Sequence, residues 1–231
     1  METSELETLE ENLHYRFRNK ELLRDALYHS SYANEHRASG ITSNERLEFL
    51  GDSVLGFVTA EYLYARHPDL PEGDLTRIRA ALVCEETLHE AALRLNLGDF
   101  ILFGKGEKQG GGRFRPSILA DATEAVFAAV YLDGGIPAVS ALIHRVLLDC
   151  QKEEAVEERR RDYKTLLQEY VQRENGRSLC YELLREEGPD HCKTFIVGAV
   201  LNGTVLAEGE GRSKKEAEQM AAKAALASFS Q

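Results

Sequence analysis

Residues 116–135 read PSILADATEAVFAAVYLDGG. Between Ser117 and Leu132 the only charged side chains are Asp121 and Glu124; every other position is apolar or small. A helix that is apolar on all sides is a buried helix, so this stretch is expected inside a core. Asp121 and Glu124 stand three residues apart and share one helical face. An isolated ionised carboxylate in such surroundings is very costly unless it is paired with a cation or bound to a metal. Pairing with a basic side chain, Arg77 or Arg79 being candidates, is one solution; a metal site is the other.

Upstream, the segment NERLEFLGDSVLGFV carries Glu45, Glu48 and Asp52. At 100° per residue these fall within about 60° of one another, while Leu47, Leu50, Val54, Phe57 and Val58 take the opposite side. A solvated acidic face on an amphipathic helix would look the same, and Thr42-Ser43-Asn44-Glu45 has the form of a capping box. Gly51 and Gly56 inside the helix each cost about 1 kcal/mol against Ala, which points to close approach by a neighbour. If this helix faces the 116–135 helix, Glu48, Asp52, Asp121 and Glu124 form a four-carboxylate cluster. Hard oxygen ligands of this kind suit Mg²⁺ or Mn²⁺ and phosphodiester hydrolysis. A di-iron bundle would want Glu-x-x-His on two helices, and neither segment supplies that His.

Helical periodicity extends through residues 1 to about 151, in Leu22–Leu27, Leu47–Tyr64, Leu75–Leu95, Ile118–Leu132 and Val139–Leu148, with no strand signal. Breaks are expected at Gly40, residues 67–73, the glycine-rich Gly104–Gly112 and Asp133-Gly134-Gly135. The charged stretch 152–161 reads as a linker or exposed helix end. From Asp162 the pattern changes. A helix through Leu166, Leu167, Tyr170 and Val171 closes at Asn175-Gly176, and strand-like runs follow at Leu179–Glu186, Cys192–Leu201 and Thr204–Glu210. Asn202-Gly203 marks a two-residue hairpin. Ser213-Lys214-Lys215-Glu216 opens a last, Ala-rich helix with a capping box. The fold class is thus an all-α domain over 1–151, a linker over 152–161, and a small α-β-β-β-α domain over 162–231.

The chain of 231 residues is 43% hydrophobic and carries a net charge of −11. Bulk acidity argues against indiscriminate nucleic-acid binding. The charge is unevenly placed: residues 1–151 hold 15 Lys and Arg against 24 Asp and Glu, residues 162–231 hold 9 against 11. Cys84, Cys150, Cys180 and Cys192 are scattered without a CxxC pair, which excludes a zinc-finger pattern and argues against a disulfide framework. No apolar run reaches the roughly 20 residues of a spanning helix, the longest uncharged helical stretch being Ala125–Leu132, so no membrane partner is expected. The start METSELETLEENL lacks the basic and apolar parts of a secretory signal, and the cytoplasm is the expected compartment.

NERLEFLGDSV, followed some seventy residues later by ILADATEAVFAAVYLDGG, resembles bacterial ribonuclease III. GDLTRIRAALV and LGDFILFGKGEKQGGGR are similar to the same family. DYKTLLQEYVQ, GPDH and GRSKKEAEQMAAKAAL are similar to its double-stranded-RNA-binding domain. Ala122-Thr123 stand where that family is expected to carry Thr-Val; both flanking carboxylates are kept. The resemblance implies a homodimeric endonuclease that cleaves double-stranded RNA with Mg²⁺, Mn²⁺ as substitute, in processing of ribosomal and other RNA precursors. It implies 5′-phosphate and 3′-hydroxyl ends. By motif position Glu48, Asp121 and Glu124 would be metal ligands, and Asp52 and Glu124 catalytic. Glu45, and Glu72 in the PEGD turn, match outer acidic positions. Phe49 matches an aromatic that plugs a pocket in the partner subunit, a partly exposed core-edge Phe being the alternative.

For the RNA itself, A-form duplexes are read through minor-groove hydroxyls and phosphates. Gln168 and Gln172 share a helix face, His191 follows Gly188-Pro189-Asp190 in a loop, and Lys214 and Lys215 open a helix whose free N–H groups favour phosphate. Solvated faces carry such Gln and Lys pairs too. A non-catalytic RNA-binding or ribosome-associated protein on the same scaffold is the alternative function; the intact acidic set favours the enzyme.

Overall fold

The computed structural model describes residues 3–150, 163–173, 177–187, 193–211 and 213–229. They fall into two compact units, one within Met1–Arg160 and one within Arg161–Gln231. The expected linker at 152–161, Asp162, Asn175-Gly176 and His191 lie outside the described residues.

The first unit is helical. In chain order come α1 (Thr3–Leu13), α2 (Lys20–Ala26), α3 (Ser30–Glu35), α4 (Glu45–Arg66), α5 (Glu72–Leu82), α6 (Glu85–Arg94), the short α7 (Lys105–Gln109) and the long α8 (Pro116–Ile143). A single parallel bridge, Tyr28 to Leu102, is its only strand-like pairing among the described residues. Pro116 sits at the start of α8, where its missing N–H costs nothing. Gly135, at φ 75°, bends α8 where the Asp-Gly-Gly turn was expected. Ala122, Ala125, Val126, Phe127, Ala128, Ala129 and Val130 are wholly buried, as all-round apolarity requires.

From Pro116 to Leu148 the chain is long and apolar enough, by length and composition, to cross a membrane. That corrects the expectation that no such run exists. The burial of Ala122–Val130 among the other helices accounts for the apolarity without a bilayer.

Three other expectations are revised. The run Leu75–Leu95 is two helices, α5 and α6, because Cys84 is extended (φ −77°, ψ 161°) and Thr87 Oγ1 donates back to the Ala81 carbonyl at 3.2 Å. Helix α1, read as a polar start, buries Leu6, Leu9 and Leu13 completely or nearly so. Helix α3 falls in a stretch where no periodicity was read; His29 caps it, its ring accepting from the Ser31 N–H.

The second unit has α9 (Tyr163–Gln172), β1 (Leu179–Glu187), β2 (Thr194–Leu201), β3 (Thr204–Gly211) and α10 (Lys214–Phe229). The sheet is antiparallel in the order β1-β2-β3. Asn202 and Gly203 make the hairpin turn, both left-handed at φ 51° and 82°. Both helices lie on one face of the sheet around Leu167, Val171, Ala199, Ala221, Ala222 and Ala225. The small residues of α10 let it lie on β3: a Cβ at Gly209 would come within 2.0 Å of the Ala221 nitrogen.

Candidate active site

Helix α4 packs along α8, and the two backbones approach closely at Gly51. A Cβ there would stand 1.9 Å from the carbonyl oxygen of Glu124, so no other residue fits. The glycine is the device that brings the acidic face of α4 against the acidic turn of α8. Gly56 has nothing within 4 Å of its missing Cβ; the close approach expected there is not made within this chain.

One carboxylate oxygen each from Glu48, Asp121 and Glu124 lie within 4.8 Å of one another. All three residues are half-buried. Burial pushes the Glu124 carboxyl up to about 8, and the charges of Asp52, Glu48 and Asp121 push the same way. Burial also raises Glu48, helped by Asp121, Glu45 and Asp52. Asp121 is raised by burial and by Glu85, with His29 pulling slightly back. Among the described residues no Lys or Arg forms an ion pair with any of the three: the cationic pairing considered from the sequence is absent. Arg77 reaches Asp74 instead, at 3.7 Å. A set of mutually repelling oxygens without a counter-charge fits a divalent metal ion.

Asp52 is solvent-exposed beside the trio and is the foremost charge acting on Glu124. Glu45 is exposed and accepts from the Ser43 hydroxyl at 2.6 Å. The capping box expected there does not form. Asn44 is the N-cap, without a side-chain cap bond, and its amide donates to the Ala26 carbonyl at 3.1 Å in the interior. Glu72 is exposed at the start of α5 and accepts from Thr76 Oγ1 at 3.0 Å. The structure places it outside the trio, on a cavity of about 520 Å³ shared with Phe57, Tyr64 and Leu75. Phe49 is 78% exposed, away from the core as the helical wheel requires.

Two residues near the trio escaped the sequence reading. Glu85 opens α6 and acts on Asp121; His29 sits where the charges of Glu107, Asp121 and Glu45 all reach it. Both arrive by tertiary packing from distant segments, so no local spacing marks them.

In the second unit Gln168 and Gln172 are exposed one turn apart on α9. Lys214 and Lys215 are exposed at the start of α10, and Ser213 Oγ accepts from the Glu216 N–H at 3.2 Å, as the capping box predicts. Lys214 stands 3.6 Å from Glu186 and 5.7 Å over the Phe195 ring.

A helical unit with a carboxylate trio fit for a metal, on one chain with an α-β-β-β-α unit, has the make-up of an RNA-directed nuclease. Residues 19–150 match the ribonuclease-III-like family, and residues 163–228 match the double-stranded RNA binding motif. Ribonuclease 3 of Caldanaerobacter subterraneus subsp. tengcongensis is 52% identical over 222 residues, covering 94% of this chain and 95% of that protein. Ribonuclease 3 of Pelotomaculum thermopropionicum is 48% identical over 221 residues, covering 96% and 92%. A structure of the nuclease domain of ribonuclease III from Campylobacter jejuni, which concerns flexibility in its dimer-forming region, superposes with a TM-score of 0.58. It is 43% identical and covers 62% of this chain and 96% of that one. The chain belongs to the ribonuclease III family and is an endoribonuclease with a double-stranded-RNA-binding motif.

Proposed function

We propose that this protein cleaves double-stranded RNA endonucleolytically with Mg²⁺, Mn²⁺ substituting, and leaves 5′-phosphate and 3′-hydroxyl ends. The observation that carries the reading is the trio Glu48, Asp121 and Glu124, which has no Lys or Arg partner among the described residues and which a bound divalent cation or a proton relieves. These three would hold the metal. When bound, the ion supplies charge neutralisation at the phosphodiester and an acidified water. Asp52, open to solvent beside Glu124, accepts the proton as the water oxygen attacks phosphorus. The P–O3′ bond breaks, and the 3′ oxygen leaves and takes its proton from solvent water. Glu45, exposed one turn before Phe49, and Glu72 serve as outer acids toward RNA or metal.

The active form is a homodimer. Phe49, Phe57 and Tyr64 all stand on α4, 78%, 55% and 78% exposed, more large apolar surface than a solvated helix face carries. The cavity beside Phe57 and Tyr64 is a fitting socket for the Phe49 of a second copy. The nuclease domain spans 1–151, a linker 152–161 and the RNA-binding domain 162–231. The latter grips the duplex through Gln168, Gln172, His191, Lys214 and Lys215. The setting is processing of ribosomal and other RNA precursors in the cytoplasm.

The test is incubation with a long RNA duplex, with Mg²⁺ or with chelator, followed by analysis of the product ends. Short duplex products bearing 5′-phosphates only with Mg²⁺ support the reading. Binding without cleavage in any divalent metal overturns it in favour of a non-catalytic RNA-binding protein.

A further inference from the structure

His29 is half-buried beside the start of α4, where the carbonyl of the preceding Tyr28 accepts from the Asn44 N–H at 2.9 Å, and its ring is fixed from two sides. Its Nδ1 accepts from the Ser31 backbone N–H at 3.2 Å, and the Ser31 hydroxyl lies 2.8 Å from the same nitrogen. That hydroxyl is oriented in turn, because its oxygen accepts from the Gly104 N–H at 3.0 Å. The His29 backbone N–H donates to the Leu102 carbonyl at 3.2 Å, and the ring leans on Phe103 with centroids 5.5 Å apart. A nitrogen that accepts two donors carries no proton, so the network assigns the neutral tautomer with its proton on Nε2. Burial holds the imidazole below its usual range, against the pull of Glu107, Asp121 and Glu45. Among the described residues the Nε2–H has no protein acceptor, although Asp121 is close enough to feel the ring.

The surroundings give this donor its use. In the ionised forms that bind a cation, Glu45, Glu48, Asp52, Asp121 and Glu124 are all acceptors and all repel a phosphodiester. A duplex docked there needs donors as well as metal, and a neutral one adds no charge that would compete with the cation. We propose that the His29 Nε2–H donates to a phosphate oxygen of the RNA strand lying in the acidic centre, making His29 a substrate-binding residue for the cleavage reaction. This rests on the reading of Glu48, Asp121 and Glu124 as the catalytic centre.

The two ring nitrogens separate the binding role from the capping role. Asn places its side-chain oxygen about where Nδ1 stands, and Asn is a good helix N-cap. Gln places its amide nitrogen about where Nε2 stands. His29→Asn should therefore keep the melting temperature near that of the parent protein while raising KM for duplex RNA about tenfold, the scale of a lost hydrogen bond to a charged group. Its Mg²⁺ half-saturation should not move. His29→Gln should melt lower yet regain most of the parent KM. The proposal is overturned if His29→Asn binds and cleaves as the parent, if the losses of both variants follow their melting temperatures, or if the defect appears as a raised Mg²⁺ requirement. That last outcome would mean the ring acts through Asp121 instead. Glu124→Gln, run alongside, keeps the two readings apart: turnover by that variant would sink the catalytic centre itself, whereas an inert Glu124→Gln beside a normal His29→Asn sinks only the role of His29.

Discussion

The first unit holds two sets of partly buried acids, and they are treated in opposite ways. Glu10 has a side chain only 1% exposed, 3.2 Å from Arg16 and 3.3 Å from Lys20, and accepts from the Phe17 N–H at 2.8 Å. Burial raises its carboxyl, but these partners outweigh burial and hold it below its ordinary value. Asp133 accepts from the Tyr15 hydroxyl at 2.7 Å, the Arg18 N–H at 3.0 Å and the Asn19 N–H at 2.9 Å, and is likewise held low against burial. Both tie the α1–α2 connection to the rest of the unit. Glu48, Asp121 and Glu124 have no such partners among the described residues and are all raised. An acid whose compensation lies within the chain is a structural fastening; acids whose compensation is missing await something from outside.

The sharpest way to break this contrast is Glu124→Gln. The side chain keeps its size and loses the charge that a divalent ion needs, so cleavage at saturating Mg²⁺ should fall by roughly 100- to 1000-fold or more, the scale on which loss of one charge-stabilising group acts. Removing a repelled acid should leave the fold as stable or more so, and duplex binding should persist. Single-turnover cleavage with thermal melting tests both halves; near-normal turnover would remove Glu124 from the metal site.

The second prediction applies the opposite treatment to the other set. Asp133→Ala removes three hydrogen bonds to a charged group at once, two of them from exposed N–H groups that turn to water, and should cost about 1–2 kcal/mol, lowering the melting temperature by several degrees for a unit of this size. Cleavage per folded molecule should be unchanged, since Asp133 supplies no ligand. If Asp133→Ala instead melts normally but cannot cleave, the division between fastening and working acids is wrong.

Much of this contrast was legible in the sequence, and the part that was not is instructive. Asp121 and Glu124 were conspicuous because everything around them was apolar. Gly51 was conspicuous because a helix interior tolerates glycine poorly. Both are local signals with a local cost. Glu10 looked like one more acid in a polar start, since its partners Arg16, Phe17 and Lys20 are gathered only by the turn after α1. Asp133 read as turn composition, and its donors come from Tyr15, Arg18 and Asn19 at the far end of the unit. His29 and Glu85 were missed for the same reason. The paired helices α5 and α6 read as one because periodicity survives the two-residue break at Val83 and Cys84, whereas a Thr87 side chain turning back on Ala81 leaves no periodic trace. In the second unit, the capping box at Ser213 and the Asn-Gly hairpin formed as read, because each is complete within four residues.

The two acid sets also oppose each other in pH. Glu124 has its carboxyl raised from an ordinary 4.5 to about 8. Its contribution to stability is therefore fully present below 4.5 and lost as pH rises through 8. Glu10 and Asp133, held low, contribute above their ordinary values and lose that contribution as pH falls through their lowered ones. The metal-free protein should accordingly be most stable at mildly acid pH and should weaken by about 2 kcal/mol toward pH 8, a figure reduced for partial solvent screening. Mg²⁺ should restore the loss, and more at pH 8 than at pH 6, because it competes with a proton at the lower pH. Urea midpoints at the two pH values, with chelator and with Mg²⁺, measure this. Glu124→Gln should flatten the alkaline slope; an equally steep slope in that variant would assign it to another group.

The smallest expected effect carries the comparison over to the cations of the second unit. Lys214 is partly compensated within the chain by Glu186 at 3.6 Å and by the Phe195 ring. Lys215 is exposed and has no ion-pair partner among the described residues. If missing compensation marks a group that works on an outside partner, the two should contribute unequally to duplex binding. Each phosphate contact adds about one unit to the slope of log affinity against log salt. Lys215→Ala should therefore reduce that slope by about one, while Lys214→Ala should reduce it by less, because the charge it removes is already partly neutralised by Glu186, which keeps Lys193 as a partner at 3.5 Å. Both should weaken binding to all duplex sequences alike, since phosphate contacts carry no sequence information, and both should leave turnover at saturating duplex unchanged. Titrations of the two single variants and the double variant over a range of salt concentrations decide the matter. Equal slopes for the two single variants would show that an exposed pair such as Lys214–Glu186 gives way to phosphate at negligible cost, and that the partner rule holds only for buried groups.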